Sequence, residues 1–226
     1  MKLINHNKLT STIDAVNEAF FLKRSLSKSD RSQVAQWIAS RQGMPEAYAN
    51  MFAPTRKDFQ NGLVLFTGEK VSSRVGLSHI LGQESSRALI LLNVKTPGVM
   101  SAMEKANAGF MEYMKKYLMP KEGTYCCATC SCALWRHLSA GGLKNGERIL
   151  AAGIRTLKSL RDGKGRWNRF PFYYTLLILN EIELPSARKE LQYSAQACER
   201  LLKRVKKRDR ISKRRYILAE RILQKC

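Results

Sequence analysis

Apolar residues recur at three- and four-residue steps along most of the chain, a spacing that predicts helix nearly throughout. Over residues 185–207, Leu191, Ala195, Cys198, Leu202 and Val205 form one stripe, with Arg188, Lys189, Arg200, Lys203, Arg204 and Lys207 flanking or opposing it. Nearer the start, Thr10 or Ser11 is placed to cap a first helix running to about Lys23. Ser29 and Asp30 open a second, SDRSQVAQWIASRQG, which Gly43 closes. Residues 44–71 read as irregular, with two prolines, turn-type glycines and a short β-prone run at 63–67. Ser72 or Ser73 then caps RVGLSHILGQESSRALILL, with a possible break near Gly82, and Pro97 takes a first-turn position in the next helix.

From residue 97 the pattern is regular. Three helical hairpins are expected, at 97–139, 145–183 and 186–225, joined by turn-forming stretches such as PKEG, GGLKN, DGKGRWNR and ELP. AGIRTLKSL and ACERLLKRV echo each other at an offset of 45 residues, a period that suits arrays of helical hairpins. The expected architecture is all-α, with a smaller N-terminal helical region over 1–96 and a hairpin array over 97–226.

The segment LRDGKGRWNRFPFYYTLLILNEIELPSA joins a helix, a tight Asp-Gly turn, a tryptophan and an aromatic-led helix. It resembles the hairpin units of α/α-toroid proteins, the terpenoid-cyclase and protein-prenyltransferase class. The cyclase motif sets Gln, Gly and Trp at this turn; Asp162, Gly163 and Trp167 sit similarly, with Lys158 and Arg161 where a Gln is expected. The resemblance spans residues 97–226 and implies a partial α/α toroid with a concave centre. Its catalytic motifs are missing: there is no Asp-x-Asp-Asp, and no Asp-x-Cys with a distal His. Three hairpins also make half of a six-hairpin toroid, so the resemblance implies a style of fold and no chemistry.

Charge changes the picture most. Forty Lys and Arg face 18 Asp and Glu, a net +22. Residues 1–96 hold 13 basic and 7 acidic side chains (+6), and residues 97–226 hold 27 and 11 (+16). An excess of that size points to a polyanionic partner, nucleic acid first, unless the basic surface is merely solvated. The expected contacts are Lys164, Arg166, Trp167 and Arg169 in one loop, and Arg200, Lys203, Arg204, Lys206, Lys207 and Arg208 further on. In GKGRWNRFPFYY, cations alternate with rings, so Trp167 either stacks on bases or plugs the hairpin end.

The densest chemistry is TYCCATCSCALWRH, with Cys126, Cys127, Cys130 and Cys132 in seven positions. In a helix starting at Thr124, Cys126 and Cys130 are i,i+4 and Cys127 and Cys130 are i,i+3. One helix face supplies two zinc ligands with ease and four with difficulty, and the further candidates here are His137 and Cys198. A low-pKa thiolate at Cys126 or Cys127 is a second reading, helped by the helix N-terminus and by Arg136 or Lys121. Close packing of small residues is the third, and the one local composition favours.

His137 reads as a helix-end cap or core residue, and His79 and Glu84 are five apart, a poor spacing for one face. No HExxH, Ser-His-Asp order, phosphate-cradling Gly loop or acid pair is assignable, and no cofactor is implied. The competing functional readings are an enzyme or small-ligand binder and a protein-interaction scaffold. The former would use a central pocket near residues 126–132, lined by Tyr125, Cys127, Cys130, Trp135, His137, Tyr173 and Tyr174. No apolar run is long enough to span a bilayer and the N-terminus lacks a secretory pattern, so a reducing cytoplasmic setting is expected.

Overall fold

The computed structural model describes residues 3–204 and 209–226. Lys206, Lys207 and Arg208, expected as polyanion contacts, lie outside the described residues. The protein is all-α. Its helices are α1 (Leu9–Phe21), α2 (Lys28–Ala39), α3 (Arg56–Asn61), α4 (Arg74–Leu92), α5 (Pro97–Tyr117), α6 (Ala128–Ser139), α7 (Gly146–Ser159), α8 (Phe172–Glu181), α9 (Pro185–Arg204) and α10 (Arg210–Leu223). Two short antiparallel hairpins interrupt them, β1 (Leu63–Val64) with β2 (Lys70–Val71), and β3 (Leu118–Met119) with β4 (Thr124–Tyr125). Among the described residues no helix is long and apolar enough to cross a membrane.

Local capping sets several boundaries. Ser27 caps α2 through the Asp30 N–H and Ser73 caps α4 through the Gly76 N–H. For α1 the expected caps fail. Neither Thr10 nor Ser11 serves, because the helix starts at Leu9, and a distant carboxylate takes the role instead. Asp58 accepts from the N–H groups of Leu9 (2.9 Å) and Thr10 (3.1 Å), while closing a capping box with Thr55 at the start of α3.

At the centre α4 packs on α6, with α1 and α2 on one flank of α4 and α7 and α8 on α6. α4 runs unbroken through Gly82, contrary to expectation. The glycine is needed for space, since a Cβ there would press on the Met51 side chain. Of the expected hairpins, α9 and α10 pack along each other, whereas α5 lies chiefly against α2 and the 3-10 turn Tyr48–Asn50. A single hydrophobic cluster runs through both halves of the chain, from Leu9 and Ile38 to Leu218 and Ile222. Leu191, Leu201, Leu218 and Ile222 are buried between α9 and its neighbours. Each contributes roughly 1.5–3 kcal/mol, which outweighs like-charge contacts costing a few tenths apiece on the exposed faces.

α10 also closes the molecule onto α1. The Arg214 guanidinium lies over the Phe66 ring at 3.9 Å, pairs with Asp14 at 2.7 and 2.9 Å, and also reaches Glu18. Arg210 joins the same two acids.

Candidate functional site

The expected helix from Thr124 is absent; Thr124 and Tyr125 form β4 and α6 starts at Ala128. Ser131 decides the junction. Its hydroxyl accepts the Tyr125 N–H at 3.1 Å and donates to the Tyr125 carbonyl at 3.0 Å, holding β4 against the first turn of α6. Trp135, stacked on Phe170, donates its indole N–H to the Gly123 carbonyl at 2.7 Å and anchors the β3–β4 turn from below. Between these anchors Cys126 is left in the left-handed region (φ 57°), costly for a residue with a Cβ, and Cys127 becomes the N-cap of α6.

The result gathers thiols rather than dispersing them. Cys126 Sγ and Cys130 Sγ lie within 4.8 Å of each other, and Cys127 Sγ accepts the Cys130 N–H at 3.5 Å. The third partner comes from α4: His79 Nδ1 lies 3.6 Å from Cys130 Sγ. His79 is 3% exposed, with the Tyr48 ring 3.6 Å away and Tyr125 stacked at 5.9 Å. Burial holds its pKa at about 4, so the imidazole is neutral. Cys127 is held at about 5, first by the Cys130 thiol donating to it and then by the Cys130 and Thr129 N–H groups. Cys130 is raised, because its proton serves that bond and because it is buried; burial likewise raises Cys126. The packing reading therefore divides within one motif. Cys130 and Cys132 are buried, Cys132 beside Thr175 with its thiol pushed up to about 12, while Cys126 and Cys127 are exposed.

The expected central pocket is not a single cavity. Tyr125 and Cys127 line a cleft of about 360 Å³ with Thr156, Arg169 and Phe170. Trp135, His137 and Tyr174 are fully enclosed elsewhere, and the Tyr173 ring lies under the Arg215 guanidinium. His137 is no helix-end cap: its Nδ1–H donates to Gln83 Oε1 at 2.7 Å, and burial lowers its pKa to about 4. Arg136, expected to favour a thiolate, turns instead into a charged centre. It meets Glu84 at 2.6 Å and grips Glu181 through two nitrogens at 2.8 and 2.9 Å. Arg87 bridges Glu181 and Asn17, and the Tyr174 hydroxyl donates to Glu84. Burial alone would push the Glu84 carboxyl up; the Arg136 and Arg87 guanidiniums more than offset this and hold it below its ordinary value. Glu84 and Glu181, far apart in sequence, are thus gathered, but for internal pairing.

In the Trp167 loop the ring takes the enclosed one of its two expected places. Trp167 is 3% exposed and donates its indole N–H to Glu190 at 2.9 Å, so the ring plugs the loop. Arg161 pairs with the same carboxylate at 2.8 and 3.0 Å. Asp162 accepts the N–H groups of Lys164 (2.7 Å) and Arg166 (2.9 Å) and the Tyr193 hydroxyl (3.0 Å), which stiffens the turn. The cations stay outside: Lys164, Arg166, Arg169, Arg200, Lys203 and Arg204 are exposed, and Arg200 donates to the Lys164 carbonyl at 2.9 Å. Beside this loop, a groove of about 440 Å³ between α7 and α9 is lined by Arg155, Lys158, Arg161 and Lys189, and by Glu190, whose carboxylate Arg161 holds. Sequence reasoning passed over Arg155 as a contact; its signal was its place three residues before Lys158, which puts both on one face of α7. Comparison with protein-family models, with curated proteins and with solved structures finds no match.

Proposed function

We propose that the chain binds a polyanion, nucleic acid through its phosphate backbone, along a basic strip on α7 and α9. The observation that carries this reading is the α7–α9 groove, in which Arg155, Lys158 and Lys189 stand together. The stiff loop continues the strip along α9 through Lys164, Arg166 and Arg200. A loop whose backbone is already ordered spends little further ordering free energy when phosphates dock. With Trp167 enclosed, the contacts are ionic, so binding follows counterion release and shows little sequence preference.

Fluorescence anisotropy with mixed-sequence DNA and RNA at several salt concentrations tests this. Engagement of all six cations gives a log K against log salt slope of about −5 on duplex DNA. The Lys158→Ala/Lys189→Ala/Arg200→Ala variant is expected to flatten that slope to about −3, while Lys95→Ala/Lys105→Ala leaves it unchanged. No binding at low salt to DNA or RNA, or equal losses in both variants, overturns the proposal.

A further inference from the structure

Three side chains at the β4–α6 junction have the ligand types and the spacing of a metal centre. His79 Nδ1, Cys126 Sγ and Cys130 Sγ all lie within 4.8 Å of one another. Tetrahedral zinc, with bonds of about 2.3 Å to sulfur and 2.0–2.1 Å to nitrogen, requires ligand atoms roughly 3.5–3.8 Å apart. The Cys130–His79 separation of 3.6 Å already falls in that range, and the edges to Cys126 Sγ are no longer than 4.8 Å. Cys127 is the N-cap of the helix that carries Cys130. Its Sγ also accepts the Cys130 N–H at 3.5 Å, the bond by which a Cys-x-x-Cys turn presents both sulfurs to one ion.

We propose that Cys126, Cys127, Cys130 and His79 form a Cys3His site for zinc. The backbone of the β4–α6 junction fits this purpose. In extended chain, neighbouring side chains point to opposite sides; the left-handed turn at Cys126 gives up that alternation and lets two successive sulfurs converge on Cys130. The remaining ligand comes from α4, so one helix face never has to supply more than its share. Four protein ligands leave no open coordination position, which makes the site structural: the ion fastens the exposed β4–α6 junction to α4. The proposal is independent of the polyanion reading, since the site uses none of the strip's residues.

The test takes the full chain, purified in reductant without chelator, and measures zinc per chain by elemental mass spectrometry. Apo-protein is then titrated with cobalt(II). The expected result is one zinc per chain, together with thiolate-to-cobalt charge transfer and the visible bands of tetrahedral cobalt. Cys126→Ser and His79→Gln should each lose the ion to an equimolar chelator that leaves the wild type loaded, and Cys226→Ser should match the wild type. Because His79 is buried, the exposed Cys126 supplies the variant that folds regardless. In the zinc-loaded protein, Cys127 should be alkylated far more slowly than Cys226. Zinc well below one equivalent with no cobalt bands overturns the site, as does zinc retained unchanged in Cys126→Ser, or Cys127 reacting as fast as Cys226.

Discussion

The charged centre between α4, α6 and α8 and the basic strip along α9 are built from the same residue types under opposite conditions. Arg136 is 2% exposed and answered by two carboxylates; Arg200 stands in solvent and contacts a neighbouring carbonyl. A guanidinium taken out of water has to be matched by acids of good geometry, so the centre consumes Glu84 and Glu181. Asp14, Glu18 and Glu190 are drawn inside in the same way by Arg214 and Arg161. What the inner region uses for cohesion, the outer region lacks for neutralisation. Net charge therefore understates how one-sided the outer face is, and the two arginine populations should respond oppositely to mutation.

The largest effect is expected inside. Arg136→Met leaves Glu84 and Glu181 buried without their main partner and should cost about 3–5 kcal/mol in urea denaturation. Adding Glu84→Gln should recover part of that loss. If Arg136→Met proves neutral, the centre is not held by charge pairing.

Next comes pH. His137 has a folded pKa of about 4 against 6.5 for the free group. Above pH 6.5 it is neutral in both states and contributes nothing. Between 6.5 and 4 only the unfolded chain takes up the proton, so stability falls as pH drops, by up to about 3 kcal/mol. Glu84 adds to the same trend at lower pH, because its depressed folded pKa gives stabilisation that is lost as the carboxylate is protonated. The stability gap between wild type and His137→Gln should therefore shrink by roughly 2–3 kcal/mol from pH 7 to pH 4.5. A constant gap would mean that His137 accepts a proton in place.

The smallest effect separates plug from platform. Trp167→Phe removes one indole donor to Glu190 and should cost about 1–2 kcal/mol of stability. Nucleic-acid affinity should stay within twofold, since the ring lies beneath the loop. An affinity loss much larger than the stability loss would restore the stacking role.

Local signals were the legible ones. Ser73 as a cap, Pro97 as a first-turn residue and the all-α class follow from chemistry within a few positions of each other. Distant pairing was not legible. Gln83, Glu84 and Arg87 make α4 look polar at a glycine, and it reads as a break until their partners on α1, α6 and α8 are seen. Sequence spacing sets His79 beside Glu84 alone, yet the group it meets is Cys130, 51 residues on. Trp167 was undecided for the same reason: alternation with cations allows a ring in solvent or a plug, and only Glu190 on α9 shows where the indole points.

The clasp of Arg214 on Asp14 joins residues 200 positions apart. A ribosome adding 5–20 residues per second takes roughly 10–40 seconds to cover that distance. Throughout that interval Asp14 and Glu18 on α1 have no Arg210 or Arg214 to meet, and the Phe66 ring lacks its guanidinium cover. Helix α1 is thus among the last of these helices to be secured, and the nascent chain must carry an unfinished acidic edge until α10 arrives.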